Sequence, residues 1–131
     1  MAHDANGHSY QHLRAWQEAM RLAGDVFRAL QQLPREHGEV AEQMRRAARS
    51  VHANIAEGSG CPSTRDFLRF LSYSRKSLRE LESDVIALRQ SRTLSTASGT
   101  ALATRIGRVE RLLDGFIRKL SADRPPPSTH G

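Results

Sequence analysis

The chain has 131 residues and a mass of 14.6 kDa, which is enough for one domain that buries a core without disulfides or bound metal. Aromatic residues make up only 5% of it and β-branched runs are nearly absent, so a sheet protein is disfavoured. The sequence has no apolar run long enough to span a membrane, no signal-peptide pattern and a single cysteine, Cys61. We therefore expect a cytoplasmic protein without an internal disulfide.

Charge is the unusual feature of the composition. The chain has 20 Lys+Arg against 14 Asp+Glu, a formal net charge of +6 at pH 7, which favours polyanionic partners. Residues 1–60 carry seven basic and seven acidic side chains, whereas residues 61–131 carry thirteen and seven. The excess positive charge therefore lies in the second half of the chain.

Apolar residues that recur every three or four positions predict a first helix from Leu13 to about Leu33, which Pro34 ends. Its predicted core stripe consists of Leu13, Trp16, Met20, Ala23, Phe27 and Leu30. The opposite side carries a solvated basic stripe of Arg14, Arg21 and Arg28.

The second helix is predicted from an apolar stripe over residues 40–55, which follows a turn at Pro34 and Gly38 and ends at Gly58. Beside that stripe runs a row of small and polar residues: Gln43, Ala47, Ser50, Asn54 and Glu57. Polar groups must find hydrogen-bond partners when they leave water. The row therefore indicates close helix packing with a buried polar network.

The third helix is predicted to begin after a Gly/Ser/Pro loop over residues 58–62, where Ser63 and Asp66 resemble a capping box. Its core face comprises Phe67, Phe70, Leu71, Ser74, Leu78, Leu81, Val85 and Leu88. The back of the same helix carries the longest basic row in the sequence: Arg65, Arg69, Lys76 and Arg79.

The fourth helix follows a Ser/Thr/Gly-rich connection that is predicted over residues 93–100. Its core positions are Leu102, Ile106, Val109, Leu112, Leu113, Phe116, Ile117 and Leu120. One polar flank is acidic, with Glu110 and Asp114, and the other is basic, with Arg105, Arg108, Arg111, Arg118 and Lys119. Three consecutive prolines in the tail cannot continue this helix.

Four amphipathic helices with short connections predict an all-α fold, an antiparallel up-down-up-down four-helix bundle over residues 13–122. A flexible N-terminal arm is expected over residues 1–12 and a disordered Pro-rich tail over residues 123–131. The second and third helices each have two faces of the buried type. Since a monomeric bundle needs one such face per helix, the surplus predicts a symmetric homo-oligomer.

The second helix also carries a family motif, Asn54-Ile55-Ala56-Glu57-Gly58, within the longer run of residues 43–58. It resembles the signature of a bacterial four-helix bundle family that includes proteins encoded by intervening sequences of large-subunit ribosomal RNA genes. Three further stretches resemble the same family: Leu13-Arg14-Ala15-Trp16-Gln17, Leu33-Pro34-Arg35-Glu36 and Ser77-Leu78-Arg79-Glu80-Leu81-Glu82. The resemblance implies a homopentameric ring without established enzymatic activity. It also implies a distant relation to the accessory variability proteins of diversity-generating retroelements, which bind a reverse transcriptase and its template RNA.

Polar residues at the family-motif positions are interpreted as a structural network or a subunit interface: Gln43, Ser50, Asn54, Glu57, Ser77 and Glu80. Catalysis would need a nucleophile, metal or cofactor cradle beside them, and the sequence offers no such set. The six histidines fit no fixed metal-ligand spacing. We therefore predict no catalytic residues, no metal, no cofactor and no small-molecule substrate.

The basic helix faces carry the functional prediction. The expected nucleic-acid contacts are Arg65, Arg69, Lys76, Arg79, Arg105, Arg108 and Arg111. Tyr10 and Tyr73 are the only aromatic rings expected to be exposed, which disfavours sequence-specific reading of a single strand. The sequence predicts a non-enzymatic oligomeric scaffold for structured RNA or a ribonucleoprotein, with no membrane partner. The alternative is a protein-protein adaptor, including an accessory subunit for a retroelement reverse transcriptase.

Overall fold

The computed structural model describes residues 9–123, and these residues form helices and connections without a strand. The four α-helices are α1 (Arg14–Leu30), α2 (Gly38–Ser59), α3 (Thr64–Gln90) and α4 (Thr96–Asp123), with short 3-10 helices at Ser9–His12 and Arg35–His37. Each of α1 and α3 packs against both α2 and α4. The predicted all-α class is confirmed, and the packing is consistent with a four-helix bundle.

The core lies between the four helices and consists of aliphatic side chains. Its largest fully buried members come from all four: Leu22, Met44, Ile55, Leu71, Leu81, Leu102, Ile106 and Leu113. Full burial of one such side chain contributes about 1.5–3 kcal/mol, so this shared core is the main source of the fold's stability. No helix among the described residues is both long and apolar enough to cross a membrane.

The ends of the predicted segments differ from the prediction. Residues 9–12, assigned to a flexible arm, form a 3-10 helix whose Tyr10 ring packs edge-on against Trp16, with ring centroids 5.2 Å apart. The predicted connection over residues 93–100 is shorter, because α4 already begins at Thr96 and continues to Asp123. The predictions for residues 1–8 and 124–131 lie outside the described residues.

The buried face of α1 is rotated from the predicted stripe. Met20, predicted to be in the core, is 40% exposed, and Trp16 and Phe27 are only half-buried. The buried positions are instead Ala15, Glu18, Ala19, Leu22, Ala23, Val26 and Leu30. The prediction was wrong because it placed the largest apolar side chains at the centre, whereas α1 packs through a face rich in alanine.

The contact between α2 and α3 depends on small residues. A Cβ atom on Gly58 would lie 2.8 Å from both Cδ1 of Phe67 and Cβ of Phe70, closer than real Cβ contacts. Further along the same contact, the buried Ser74 hydroxyl donates to the Val51 carbonyl at 2.6 Å. Gly58 is thus a point of close helix approach in the last turn of α2, which ends at Ser59, one residue beyond the predicted end.

The start of α3 matches the capping signal in the sequence. The Asp66 backbone N–H donates to Ser63 Oγ at 3.1 Å, which satisfies one of the first four amide groups of the helix. The Ser63 hydroxyl in turn donates to Asp66 Oδ2 at 3.0 Å. The pair is a variant of the capping box, because the carboxylate accepts the serine hydroxyl and not its backbone amide.

Replacing Gly58 with alanine is expected to lower the free energy of unfolding by about 1–3 kcal/mol, because the added methyl group forces α2 and α3 apart. Urea denaturation followed by circular dichroism measures the loss. The matched control is Gly38→Ala, since nothing lies within 4 Å of a Cβ at that helical position. A Gly58→Ala variant as stable as Gly38→Ala would contradict the close approach.

Candidate nucleic-acid interface

Four basic side chains form a row on the outer face of α3: Arg65, Arg69, Lys76 and Arg79. All four are exposed. Their spacings of four, seven and three residues keep them on one side of a helix with 3.6 residues per turn. Arg69 is partly engaged, because its Nη2 lies 3.4 Å from Asp66 Oδ1. No carboxylate of the described residues lies within 4.0 Å of the other three cations.

A groove between α2 and α3, the α2–α3 groove, runs beside this row. It has a volume of about 800 Å³. Four of its lining residues belong to the predicted polar network: Gln43, Ser50, Ser77 and Glu80. Two belong to the predicted basic row: Lys76 and Arg79. The others are Arg46, Ala47, Ser83 and Asp84. Two sets of residues that the sequence treated separately therefore meet in one place.

Ser50 is the junction of the polar network in this groove. The Asn54 side-chain amide donates to the Ser50 carbonyl and to Ser50 Oγ, both at 2.9 Å. From the other side, the Ser77 hydroxyl donates to Ser50 Oγ at 2.8 Å and so links α3 to α2. The hydroxyl and amide groups, which are half-buried, thus use one another as hydrogen-bond partners.

The other predicted network residues take no part in this chain of hydrogen bonds. Gln43 and Glu80 line the groove with exposed side chains, and Glu57 is exposed near the end of α2. Sequence reasoning missed the second link between the helices, from Ser74 to Val51. The signal was a lone serine on an apolar stripe. Sequence reasoning also left Arg46 out of the candidate site, although Arg46 lines the α2–α3 groove from the side of α2.

The groove carries charge of both signs. Glu80 and Asp84 lie on successive turns of α3 and both line it. Partial burial raises the pKa of the Asp84 carboxyl, and the nearby negative charge of Glu80 raises it further. These two carboxyl groups make the groove less favourable for an anion than the outer basic row.

The structure corrects the prediction for Arg105. Its Nη1 lies 3.0 Å from Glu18 Oε1 and its Nε 3.0 Å from Asp25 Oδ2, and its side chain is only 26% exposed. Arg105 therefore joins α4 to α1 and is not available to a phosphate. The prediction was wrong because it examined α4 alone, whereas Glu18 and Asp25, seven residues apart, present two carboxylates from α1.

The two neighbouring arginines of α4 remain at the surface. Arg108 is 52% exposed with its Nη1 3.6 Å from Glu18 Oε1, and Arg111 is exposed.

Glu18 is a buried carboxylate surrounded by three arginines, because Arg21 binds it as well as Arg105 and Arg108. Burial alone would raise the pKa of Glu18, but the hydrogen bonds and positive charges of Arg21 and Arg105 hold it below its ordinary value. Hydrogen bonds to Asp25 and Glu18 raise the pKa of Arg105.

Replacing Glu18 with glutamine is expected to lower the free energy of unfolding at pH 7 by about 2 kcal/mol, because Arg105 loses a buried charged partner. The folded pKa of Glu18 is below its ordinary value of 4.5. The stabilisation is therefore complete above that value and is lost as the pH falls through the lower folded pKa. Urea denaturation in acid should show a shallower loss of stability for Glu18→Gln than for the wild type. The exposed Glu57→Gln variant is the control, and wild-type behaviour of Glu18→Gln would contradict the ion-pair assignment.

Replacing Ser74 with alanine is expected to cost about 1 kcal/mol of unfolding free energy, because the buried hydrogen bond to Val51 is lost. The matched control is Ser72→Ala on the same helix, where the serine is exposed and bonds only within α3. Chemical denaturation compares the two variants. Equal stability of Ser74→Ala and Ser72→Ala would remove the hydroxyl of Ser74 from the α2–α3 link.

Two comparisons relate this chain to known proteins. The sequence profile of the family described as 23S rRNA-intervening sequence protein matches residues 11–115. Similar in structure is a protein with unknown function from the S23 ribosomal protein family of Bacteroides thetaiotaomicron VPI-5482, with a TM-score of 0.74, 21% sequence identity, and coverage of 79% of this chain and 98% of that one. At that identity the similarity shows the fold alone. No curated protein matches the chain significantly.

Proposed function

Because the chain belongs to the 23S rRNA-intervening sequence protein family, we propose that it is a non-enzymatic, basic, oligomeric scaffold that binds structured RNA. One observation carries the proposal: the row Arg65, Arg69, Lys76 and Arg79 is exposed along a single face of α3. Three of these cations have no carboxylate among the described residues within ion-pair distance. Cations without protein partners are available to neutralise phosphates and release counterions.

The length of the row suits a nucleic-acid backbone. From Arg65 to Arg79 it extends about 21 Å along the helix, at about 1.5 Å per residue. Among the aromatic rings that the structure describes, Tyr73 alone is exposed, at 46%. Reading of single-stranded bases relies on several stacking platforms. The proposed mode is therefore recognition of shape and backbone charge.

The proposal includes an antiparallel bundle and a homo-oligomer. Residue pairs across α2 and α3 run in opposite directions along the chain, from Gly58 with Phe67 to Ser50 with Ser77, which supports an antiparallel pair. The pentameric ring is proposed from the family resemblance. A ring would present the α3 row several times, so that modest phosphate contacts add up to useful avidity.

The proposed absence of catalysis is supported by what the polar residues do. Ser50, Asn54 and Ser77 bond to one another. A nucleophile is activated by an adjacent base, and none of these hydroxyls is bonded to a histidine or carboxylate among the described residues. The arrangement suits a structural link between α2 and α3.

Titration of nuclease-treated protein with a structured RNA at several salt concentrations tests the proposal. Wild-type protein is expected to bind at low salt and to lose affinity steeply as salt rises. The double variant Lys76→Gln/Arg79→Gln should bind more weakly and reduce the salt slope by about one per residue removed.

The matched control is Arg118→Gln/Lys119→Gln, which removes the same two residue types from exposed positions of α4. It should leave the affinity and the salt slope close to those of the wild type. Equal losses in both double variants would show that net charge alone drives binding. No binding of RNA at low salt would overturn the proposal and direct the search to a protein partner.

A further inference from the structure

A second depression, the Ser72 hollow, lies on the other side of the α3 row from the α2–α3 groove. It has a volume of about 310 Å³ and is lined by Ser72, Arg75, Lys76 and Arg79. Lys76 and Arg79 also line the α2–α3 groove, so they form a ridge between the two depressions. The described lining of the hollow thus contains three cations, one hydroxyl and no carboxylate.

Arg75 bounds the hollow on the side of α4. Its Nε lies 3.0 Å from Asp114 Oδ1, and this ion pair joins α3 to α4. Because Asp114 offsets the charge of Arg75, the cations left to bind an anion are Lys76 and Arg79. A phosphate in the hollow would meet these two side chains without facing the carboxyl groups of Glu80 and Asp84, which line the other depression.

The hydroxyl of Ser72 has a restricted role in this hollow. It donates its proton to the Arg69 carbonyl at 2.7 Å, so its oxygen is left as an acceptor only. An ionised phosphate diester has no proton to donate and gains nothing from such an acceptor. The ribose 2′-hydroxyl does have a proton to donate, and it is the group that distinguishes RNA from DNA.

We propose that the Ser72 hollow is a ribose-phosphate subsite for one strand of an A-form RNA duplex. Lys76 and Arg79 contact the phosphate, and Ser72 Oγ accepts a hydrogen bond from the 2′-hydroxyl of the same backbone. Ser72 is then the residue by which the protein prefers RNA to a backbone without that donor. This inference rests on the proposed RNA-binding function and names the class of RNA and the group that is read.

Fluorescence anisotropy with two labelled duplexes of about 16 base pairs and identical sequence tests the subsite. One is RNA, and the other carries 2′-fluoro groups, which preserve the A-form and the phosphates but remove the hydroxyl donor without adding bulk. Wild-type protein is expected to bind the RNA about three- to tenfold more tightly, the value of one ordinary hydrogen bond.

Variants assign the preference to one side chain. Ser72→Ala should bind both duplexes with the affinity that the wild type has for the 2′-fluoro duplex. Ser83→Ala is the matched control, because Ser83 is also exposed on α3 but lines the α2–α3 groove. It should keep the wild-type preference. Lys76→Gln/Arg79→Gln should weaken binding of both duplexes by the same factor.

Each outcome has one meaning. Equal affinity of the wild type for the two duplexes, or an unchanged preference in Ser72→Ala, would overturn the subsite while leaving the proposed function in place. A loss of preference in both serine variants would also overturn the assignment to Ser72. Failure of the wild type to bind either duplex at low salt would overturn the subsite and the proposed function together.

Discussion

The close approach of α2 and α3 is the constraint on which the rest of the structure depends. At Gly58 the two helices leave no room for a Cβ atom. Farther along, the hydroxyls of Ser74 and Ser77 reach across to α2. These contacts set the rotation of α3, because its small and apolar side must face inward. The opposite side, with Lys76 and Arg79, is thereby turned to solvent.

The cations of this chain fall into two populations. Those of the α1–α4 contact, led by Arg105, are engaged by the carboxylates of Glu18 and Asp25. In the α3 row, Arg65, Lys76 and Arg79 have no such partner among the described residues. Removing a carboxylate partner from a partly buried arginine destabilises the fold. Exposed cations without partners contribute little to stability, which is why they are the stronger candidates for binding.

Much of the fold could be predicted from the sequence, because amphipathic periodicity, the turn at Pro34 and the cap at Ser63 are local signals. The rotation of α1 could not. Periodicity gives the direction of the apolar side only roughly, and the residues that decide the packed face, such as Ala19 and Glu18, look unremarkable in sequence. The core serine Ser74 could be placed on its face by periodicity, but its partner, a backbone carbonyl of α2, could not.

The candidate site shows the same division. The exposure of the α3 row follows from the spacing of its residues along one helix. Arg105 is removed from the candidate site because α1 packs beside α4, and Arg46 is added because α2 packs beside α3. A single sequence contains no signal for these helix pairings. The role of Ser72 likewise depends on the direction of its hydrogen bond to Arg69. The charge of each helix face can be predicted from the sequence, whereas which charged side chains are free to contact a ligand depends on how the helices pack.

The ion-pair cluster around Glu18 also responds differently to acid and to alkali. Its cations are all arginines. The pKa of Glu18 is lowered and the pKa of Arg105 is raised by their contact. The ion pair between Glu18 and Arg105 is therefore expected to weaken in acid and to persist in alkali. A lysine in place of Arg105 would lose its charge at high pH, and the ion pair with Glu18 would then weaken in alkali as well as in acid.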